Sequence, residues 1–242
     1  MKQYKTQGII LKRQNFMETD KLLTIYSYDF GQIKVIAKGV RKILSKLSGH
    51  LELFYLTNFV ITEGKNIDII TSAQMKERFA NIRNAKNTIY AAYYIAELIY
   101  KATPEKYQNK NIFNLLVEVL NKINEKNYLK IINYFELKIF CEMGHGPEVE
   151  KCVICGKILE EKSHLFDYQE GGIVCLKCDK KNIGQFNIGP GMIKLLRLIK
   201  KYDLNFLSKI NLSRDNVSKL QQCIQAIRFD VLGKDLKSAS FL

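Results

Sequence analysis

Two pairs of cysteines constrain this chain more than any other feature of its sequence. Each pair has C-x2-C spacing and 19 residues separate the pairs, which are Cys152 with Cys155 and Cys175 with Cys178. Paired knuckles of this kind place four sulfurs around one tetrahedral ion, and Gly156 supplies permissive backbone for the first turn. The spacing predicts one structural zinc ion (Zn²⁺) per chain, because four protein ligands leave no coordination position for water or substrate.

Three other interpretations compete with a zinc site. Two disulfides are disfavoured by a cytosolic setting, and unpaired core cysteines would not explain two matched pairs. A zinc deaminase needs an upstream H-x-E and a proline before the first cysteine, whereas Lys151 precedes Cys152 and Gly146 follows His145. The remaining cysteines, Cys141 and Cys223, fall in apolar helical patterns that are typical of small core residues.

Basic side chains outnumber acidic ones by 38 to 24, which gives a formal net charge of +14. The excess lies in residues 1–80 and 151–242, and it favours polyanionic partners. No window approaches the roughly 18 uninterrupted apolar residues of a membrane-spanning helix, and the start of the chain lacks the pattern of a secretory signal. We therefore expect a cytoplasmic, nucleoid-associated protein with no membrane partner.

The first 80 residues carry the signals of a small β-barrel. Five segments rich in Ile, Leu, Val, Thr and Tyr are separated by turn residues, and they span residues 8–12, 21–28, 32–38, 51–62 and 67–72. The five-stranded oligonucleotide-binding barrel, or OB-fold, is the commonest fold of this description, although strand count alone does not separate it from other small barrels. We expect an OB-fold domain at residues 1–80.

The apolar period changes to a helical one beyond the barrel. Three helical segments are predicted near residues 82–102, 112–123 and 128–143, and a fourth at 191–202. A longer helix should open at Ser213 as N-cap and close at Gly233 as C′ residue. The predicted fold class is α+β, with an all-α domain at residues 81–242 that contains a small four-cysteine zinc module at residues 148–182.

A run of five basic side chains without an acidic one marks the end of the third strand. It consists of Lys34, Lys38, Arg41, Lys42 and Lys46. Glycines at positions 31, 39 and 49 let a ligand approach, so the run has the character of a phosphate-binding edge. The alternative is a solvated loop whose charges only maintain solubility. Tyr26 and Tyr28 share a strand face and either stack on bases or pack in the barrel.

Motifs of common enzymes are missing. The sequence has no G-x-x-x-x-G-K-[ST], no G-x-G-x-x-G and no H-E-x-x-H, and its three histidines lack an obvious nucleophile to serve. These absences predict a protein that is not an enzyme.

Several segments together resemble the RecO family of bacterial DNA repair proteins. The resemblance begins at residues 8–13, which include Lys12 and Arg13, and continues through Glu18-Thr-Asp-Lys21 and the basic stretch from Ala37 to Lys42. It resumes at Gly146-Pro147 before the first cysteine pair and at Gly171-Gly172 before the second, as in the zinc-bearing branch of the family. Gly233-Lys-Asp-Leu-Lys-Ser238 is similar to the family's closing motif.

The resemblance implies a recombination mediator that binds single-stranded and duplex DNA and anneals complementary strands. It also implies partners: RecR, single-strand-binding protein and, indirectly, the RecA recombinase. Lys12, Arg13 and the five basic residues of the run are the expected nucleic-acid contacts. Two alternatives share the basic charge: a zinc-ribbon RNA-binding factor of translation or transcription, and a scaffold that docks an acidic protein tail.

Overall fold

The computed structural model describes residues 2–179, 184–210 and 214–242. These residues form two compact units, one of Met1–Tyr128 with Ser238–Leu242 and one of Leu129–Lys237. The units do not coincide with the predicted domains 1–80 and 81–242, because the first two helices and the last five residues pack in the same unit as the barrel. The domain boundary at residue 80 stays a prediction.

A closed five-stranded barrel fills most of the first unit. Its strands are β1 (Gln3–Phe16), β2 (Asp20–Ser27), β3 (Gly31–Ala37), β4 (Leu56–Thr62) and β5 (Asp68–Glu77), in the order β1-β2-β3-β5-β4. All neighbours are antiparallel except β3 and β5, which pair in parallel through Val35 with Asp68 and Ile36 with Ile69. The predicted five-stranded barrel is confirmed.

The fourth strand is shorter than expected and the fifth is longer. The segment predicted at 51–62 pairs as a strand only from Leu56, since residues Ser48–His50 form a 3₁₀ turn and Leu51 is buried as part of the barrel core. β5 continues to Glu77 opposite β4. The connection between β3 and β4 is therefore 18 residues long, from 38 to 55.

Alternating apolar side chains fill the barrel. Leu23 and Ile25 of β2 and Ile33, Val35 and Ala37 of β3 point inward, as the period of two along a strand requires. Val40 and Leu51 from the connection between β3 and β4 pack into the same core. The connection is thus anchored to the barrel by its own apolar residues, which leaves its polar residues at the surface.

Two helices complete the first unit. α1 (Lys86–Ala102) begins later than the predicted residue 82, because Ala80–Arg83 form a 3₁₀ turn, and it ends at Thr103-Pro104 as predicted. α2 (Lys110–Lys122) begins at the N-cap Asn109, whose side chain accepts hydrogen bonds from the N–H groups of two following residues.

The second unit consists of helices around a small sheet. The chain forms α3 (Tyr128–Glu142), a sheet of β6 (His164–Asp167), β7 (Gly172–Val174) and β8 (Gln185–Ile188), then α4 (Pro190–Lys201), α5 (Leu204–Ser208) and α6 (Arg214–Leu232). The sheet has the order β7-β6-β8, so the cysteine module extends past the predicted residue 182. Gly233 adopts the left-handed conformation expected of a C′ residue, and Ser213 lies outside the described residues.

A buried ion pair joins α3 to α6 within the second unit. Arg228 Nη1 donates to Glu136 Oε1 at 2.9 Å, and the Glu136 side chain is only 3% exposed. Asp235, just after α6, lies 3.5 Å from Arg228 Nη2. A buried carboxylate that loses its cation is costly, so this pair fixes how the two helices pack.

The replacement Arg228→Met should lower the free energy of unfolding by about 3–5 kcal/mol, because it removes the guanidinium that pairs with the buried carboxylate of Glu136. The control is Lys122→Met, which removes the partly exposed pair of Lys122 with Glu118 on α2 and should cost about 0.5 kcal/mol or less. Urea denaturation of the metal-loaded proteins measures both. Equal losses in the two variants would contradict a structural role for the buried pair.

Candidate metal centre and nucleic-acid interface

The four paired cysteines come together in the second unit. Their sulfur atoms all lie within 4.8 Å of one another, and Cys155 Sγ and Cys175 Sγ are 3.9 Å apart. Ligand bonds of about 2.3 Å in a tetrahedron around zinc require sulfur-to-sulfur distances near 3.8 Å. The distances are too long for disulfides, and all six cysteines of the chain are unbonded to one another. The cluster therefore fits one tetrahedral metal ion.

Each cysteine pair is held in a tight turn by backbone hydrogen bonds. In the first knuckle the Gly156 N–H donates to the Cys152 carbonyl, and the Cys152 N–H donates to the Lys157 carbonyl, both at 2.8 Å. Gly156 has a φ of +70°, which only glycine adopts readily. In the second knuckle the Cys178 N–H donates to the Cys175 carbonyl at 2.8 Å. These turns place the two sulfur atoms of each pair in positions from which they could bind one metal ion.

The sulfur atoms contact one another and accept hydrogen bonds from backbone N–H groups. Burial opposes ionisation of the Cys152 thiol, but N–H groups of Cys175, Cys155 and Ile154 direct hydrogen bonds to it and lower its pKa to about 6. Cys178 shifts the other way, because hydrogen bonds with the Cys175 and Cys155 thiols raise its pKa to about 12. Four thiolates this close repel one another unless a cation lies between them.

The two knuckles are tied together through a glycine pair. The Glu148 N–H donates to the Gly171 carbonyl at 3.0 Å, and the Ile173 N–H donates to the Glu148 carbonyl at 2.9 Å. Gly172 lies between these bonds, where a Cβ atom would stand only 2.5 Å from Glu148 O. A glycine is required there because two backbone segments pass closer than a side chain allows.

The replacement Gly172→Ala should therefore impair metal binding although it removes no ligand. We expect the wild type to retain one metal ion per chain after dialysis against a weak chelator, and both Gly172→Ala and Cys155→Ser to retain well under half. Gly191→Ala, whose added Cβ meets no atom within 4 Å, and Cys141→Ala are the controls that should keep the metal. Elemental analysis gives the stoichiometry. Full metal content in Gly172→Ala would contradict the proposed coupling of the knuckles.

The basic run predicted from sequence separates into two groups. Four of its residues share the loop that follows β3 and expose their side chains there: Lys38, Arg41, Lys42 and Lys46. We call residues 38–47 the basic loop. It contains no acidic residue, so its charge is uniformly positive.

The hairpin between β1 and β2 holds the basic loop. The Gly39 N–H donates to Asp20 Oδ1 at 2.8 Å, the Arg41 N–H donates to the Thr19 carbonyl at 2.9 Å, and Arg41 Nη1 donates to the Glu18 carbonyl at 2.8 Å. The bond from Gly39 lowers the pKa of Asp20, so this anchor remains ionised at neutral pH. These three bonds attach the start of the basic loop to the β1–β2 hairpin.

The other three predicted nucleic-acid contacts already have partners in the protein. Lys34 forms an ion pair with Glu105, and Arg13 forms one with Glu52. The Lys12 ammonium lies 5.0 Å from the centre of the Tyr100 ring. Contact with a phosphate would have to compete with these interactions, which distinguishes these residues from the members of the basic loop.

Lys21 is a basic residue near the basic loop that was not among the nucleic-acid contacts expected from the sequence. Burial lowers its pKa, and the nearby Arg13 and Arg41 lower it further against the effect of Glu52. Lys21 pairs with Ala37 at the end of β3, on the inward-facing side that carries Leu23. The alternation of Lys21 with Leu23 was the available signal, since it puts a lysine at the mouth of the barrel.

The two tyrosines considered for base stacking pack against protein. Tyr26 is fully buried, so its ring cannot meet a base. Tyr28 packs edge-on against Phe113, with ring centres 5.4 Å apart, and the Lys110 ammonium lies 4.8 Å from its centre. Both tyrosines therefore contribute to the first unit's packing.

A closed five-stranded barrel with a basic loop, followed by helices and a four-cysteine module, defines a modular architecture suited to nucleic acid. Comparison with known proteins makes this specific. Residues 1–79 match the family model for the recombination protein O N terminal domain, and residues 83–240 match the model for its C terminal domain. The chain belongs to the RecO family of DNA repair proteins.

Curated relatives are similar in sequence to this chain along nearly its whole length. Proteins named DNA repair protein RecO are 34% identical over 241 residues in Dehalococcoides mccartyi and 31% identical over 242 residues in Desulforamulus reducens. The alignments cover 99% and 100% of this chain and 94% of each relative. A relative of the same name from Listeria welshimeri is 30% identical over 98% of this chain and 93% of its own.

No helix in the described part of the chain is long and apolar enough to cross a membrane.

Proposed function

We propose that this chain is a recombination mediator that binds single-stranded and duplex DNA through the basic loop and acts without catalysing a reaction. The observation that carries the proposal is the loop itself, in which four exposed cations stand on an anchored connection of a barrel. Membership in a family of DNA repair proteins supports DNA as the polyanion. The function takes place in the cytoplasm, at the nucleoid.

Phosphate neutralisation is the proposed mechanism of binding. Lys38, Arg41, Lys42 and Lys46 contact successive phosphates and release their condensed counterions. The contact extends to Lys12, Arg13 and Lys34 when DNA phosphates displace the protein groups that these side chains contact in the free protein. Two DNA strands repel each other through their phosphates, so a protein that neutralises both lowers the barrier to pairing. Annealing of complementary strands follows from the same contacts.

The partners we propose are those implied by the family. With RecR, the chain assists the loading of RecA onto DNA coated by single-strand-binding protein. Support for these partners comes from family membership, and a reconstitution with purified RecR, RecA and coated single-stranded DNA tests them.

The proposed metal ion is Zn²⁺, held by Cys152, Cys155, Cys175 and Cys178. Tetrahedral thiolate sites with four protein ligands prefer zinc, which has no open position there for catalysis. When bound, the ion supplies the positive charge that lets all four sulfurs ionise. The residues of the module position the two knuckles, so the role of the metal is to stabilise the module.

The variant Lys38→Gln/Lys42→Gln/Lys46→Gln tests the basic loop, and it spares Arg41 because that side chain also anchors the loop. On single-stranded DNA each lost phosphate contact should reduce the slope of log K against log salt by about 0.7, so the triple variant should lose about two units. Affinity and slope are measured by fluorescence anisotropy on single-stranded, duplex and junction DNA beside a structured RNA, with strand annealing in parallel.

The matched control is Lys2→Gln/Lys5→Gln/Lys65→Gln, which removes the same charge at the other end of β1, where exposed lysines flank the β1–β4 pairing. This control should keep most of the wild-type slope. An unchanged slope in the basic-loop variant would contradict the site. Preference for the structured RNA without DNA annealing would instead support the zinc-ribbon RNA-binding factor.

A further inference from the structure

The basic loop carries two aliphatic side chains in full contact with solvent. Ile43 is 100% exposed and Leu44 is 92% exposed, although both lie between Lys42 and Lys46. Met17, at the tip of the β1–β2 hairpin that holds the loop, is 76% exposed. Single exposed aliphatic residues are ordinary on protein surfaces, but two adjacent ones at the tip of a charged loop are not explained by the fold.

The loop's own structure produces this exposure. Consecutive turns shape it, because the Lys42 N–H donates to the Gly39 carbonyl at 3.1 Å and the Ser45 N–H donates to the Lys42 carbonyl at 3.0 Å. Val40 is buried on one side of the tip, and Leu47 packs against the barrel core on the other. Apolar residues of the loop that can reach the core do so, and only the pair at the tip is held away from it.

We propose that Ile43 and Leu44 pack against unpaired bases of the DNA strand whose phosphates the basic loop binds. This inference rests on the proposed function and adds a base contact to it. Four cations and no carboxylate within the loop select a polyanion as the occupant. A nucleic acid is the polyanion that carries flat apolar faces, those of its bases, on the same backbone as its phosphates. Aliphatic side chains insert between bases in other DNA-binding proteins.

Single-stranded DNA and strand junctions are the preferred ligands in this account. Bases within a continuous duplex are covered on both faces by their neighbours, whereas unpaired bases expose theirs. The aliphatic pair makes no hydrogen bond, so the contact is independent of sequence. Salt dependence reports phosphates, and an apolar contact changes affinity without changing that dependence. The two kinds of contact are therefore separable by experiment.

The first test compares oligo(dT) with an abasic strand of the same length, which keeps the phosphates and lacks the bases. Ile43→Ser/Leu44→Ser should bind oligo(dT) about tenfold more weakly than the wild type does at every salt concentration, with an unchanged salt slope. Its affinity for the abasic strand should equal that of the wild type. Phe229→Ser, which removes an exposed apolar side chain from α6, is the control and should match the wild type on both strands.

A second test uses the absence of tryptophan from this chain. Leu44→Trp introduces a single fluorophore at the loop tip, and stacking with a base quenches its emission. Oligo(dT) should quench Leu44→Trp and the abasic strand should not, while Phe229→Trp should respond to neither. Quenching does not depend on a loss of affinity, so this test remains informative if the serine variant folds poorly.

Four outcomes overturn the inference. Equal weakening on oligo(dT) and on the abasic strand would show that the pair acts without bases, and unchanged affinity with no quenching of Leu44→Trp would remove the contact. In both cases, a changed salt slope in the basic-loop variant would still support the proposed DNA-binding function, whereas an unchanged slope would contradict that function as well.

The other two outcomes assign the loop tip to a different occupant. Binding to vesicles of phosphatidylglycerol that requires Ile43 and Leu44, without an effect of these residues on oligo(dT) binding, would assign the tip to a membrane surface. A change of oligomeric state by sedimentation in Ile43→Ser/Leu44→Ser would assign it to a second copy of the chain.

Discussion

The parallel pairing of β3 with β5 is the constraint on which the candidate DNA site depends. Because β5 lies between β3 and β4 in the barrel, the connection from β3 to β4 has to pass over the end of the barrel. Val40 and Leu51 of this connection pack into the barrel core and anchor it there. Residues between these two anchors are left at the surface, which is where the cations and the aliphatic pair are found.

The cysteine module is likewise held in place by contacts of its own backbone. Backbone hydrogen bonds shape each knuckle, and the four sulfurs lie within 4.8 Å of one another. The bonds that Glu148 makes on both sides of Gly172 join the chain segments that precede the two knuckles. A metal ion bound by the four sulfurs would stabilise an arrangement that these backbone hydrogen bonds already favour, as a structural ion does.

Local patterns were sufficient to predict much of this structure. Alternation of apolar residues predicted the five strands, apolar residues at helical spacing predicted most helices, and the cysteine spacing predicted the cluster. These signals depend only on residues that are close in sequence. Contacts between distant residues were not predictable. The partner of Lys34 is Glu105, and the partner of Arg228 is Glu136, 92 residues away. The small sheet of β6, β7 and β8 was also missed, because strands of three or four residues leave almost no periodic signal.

Ultraviolet cross-linking of oligo(dT) to the wild-type protein, followed by mass spectrometry of the adducts, tests most directly whether the basic loop is the DNA-binding site. Thymine cross-links to side chains that touch it, so the method maps contacts without altering the protein. The account predicts adducts within residues 38–47 and in the β1–β2 hairpin that holds them. Adducts confined to residues 129–237 would contradict it, and would place the DNA-binding surface in the second unit.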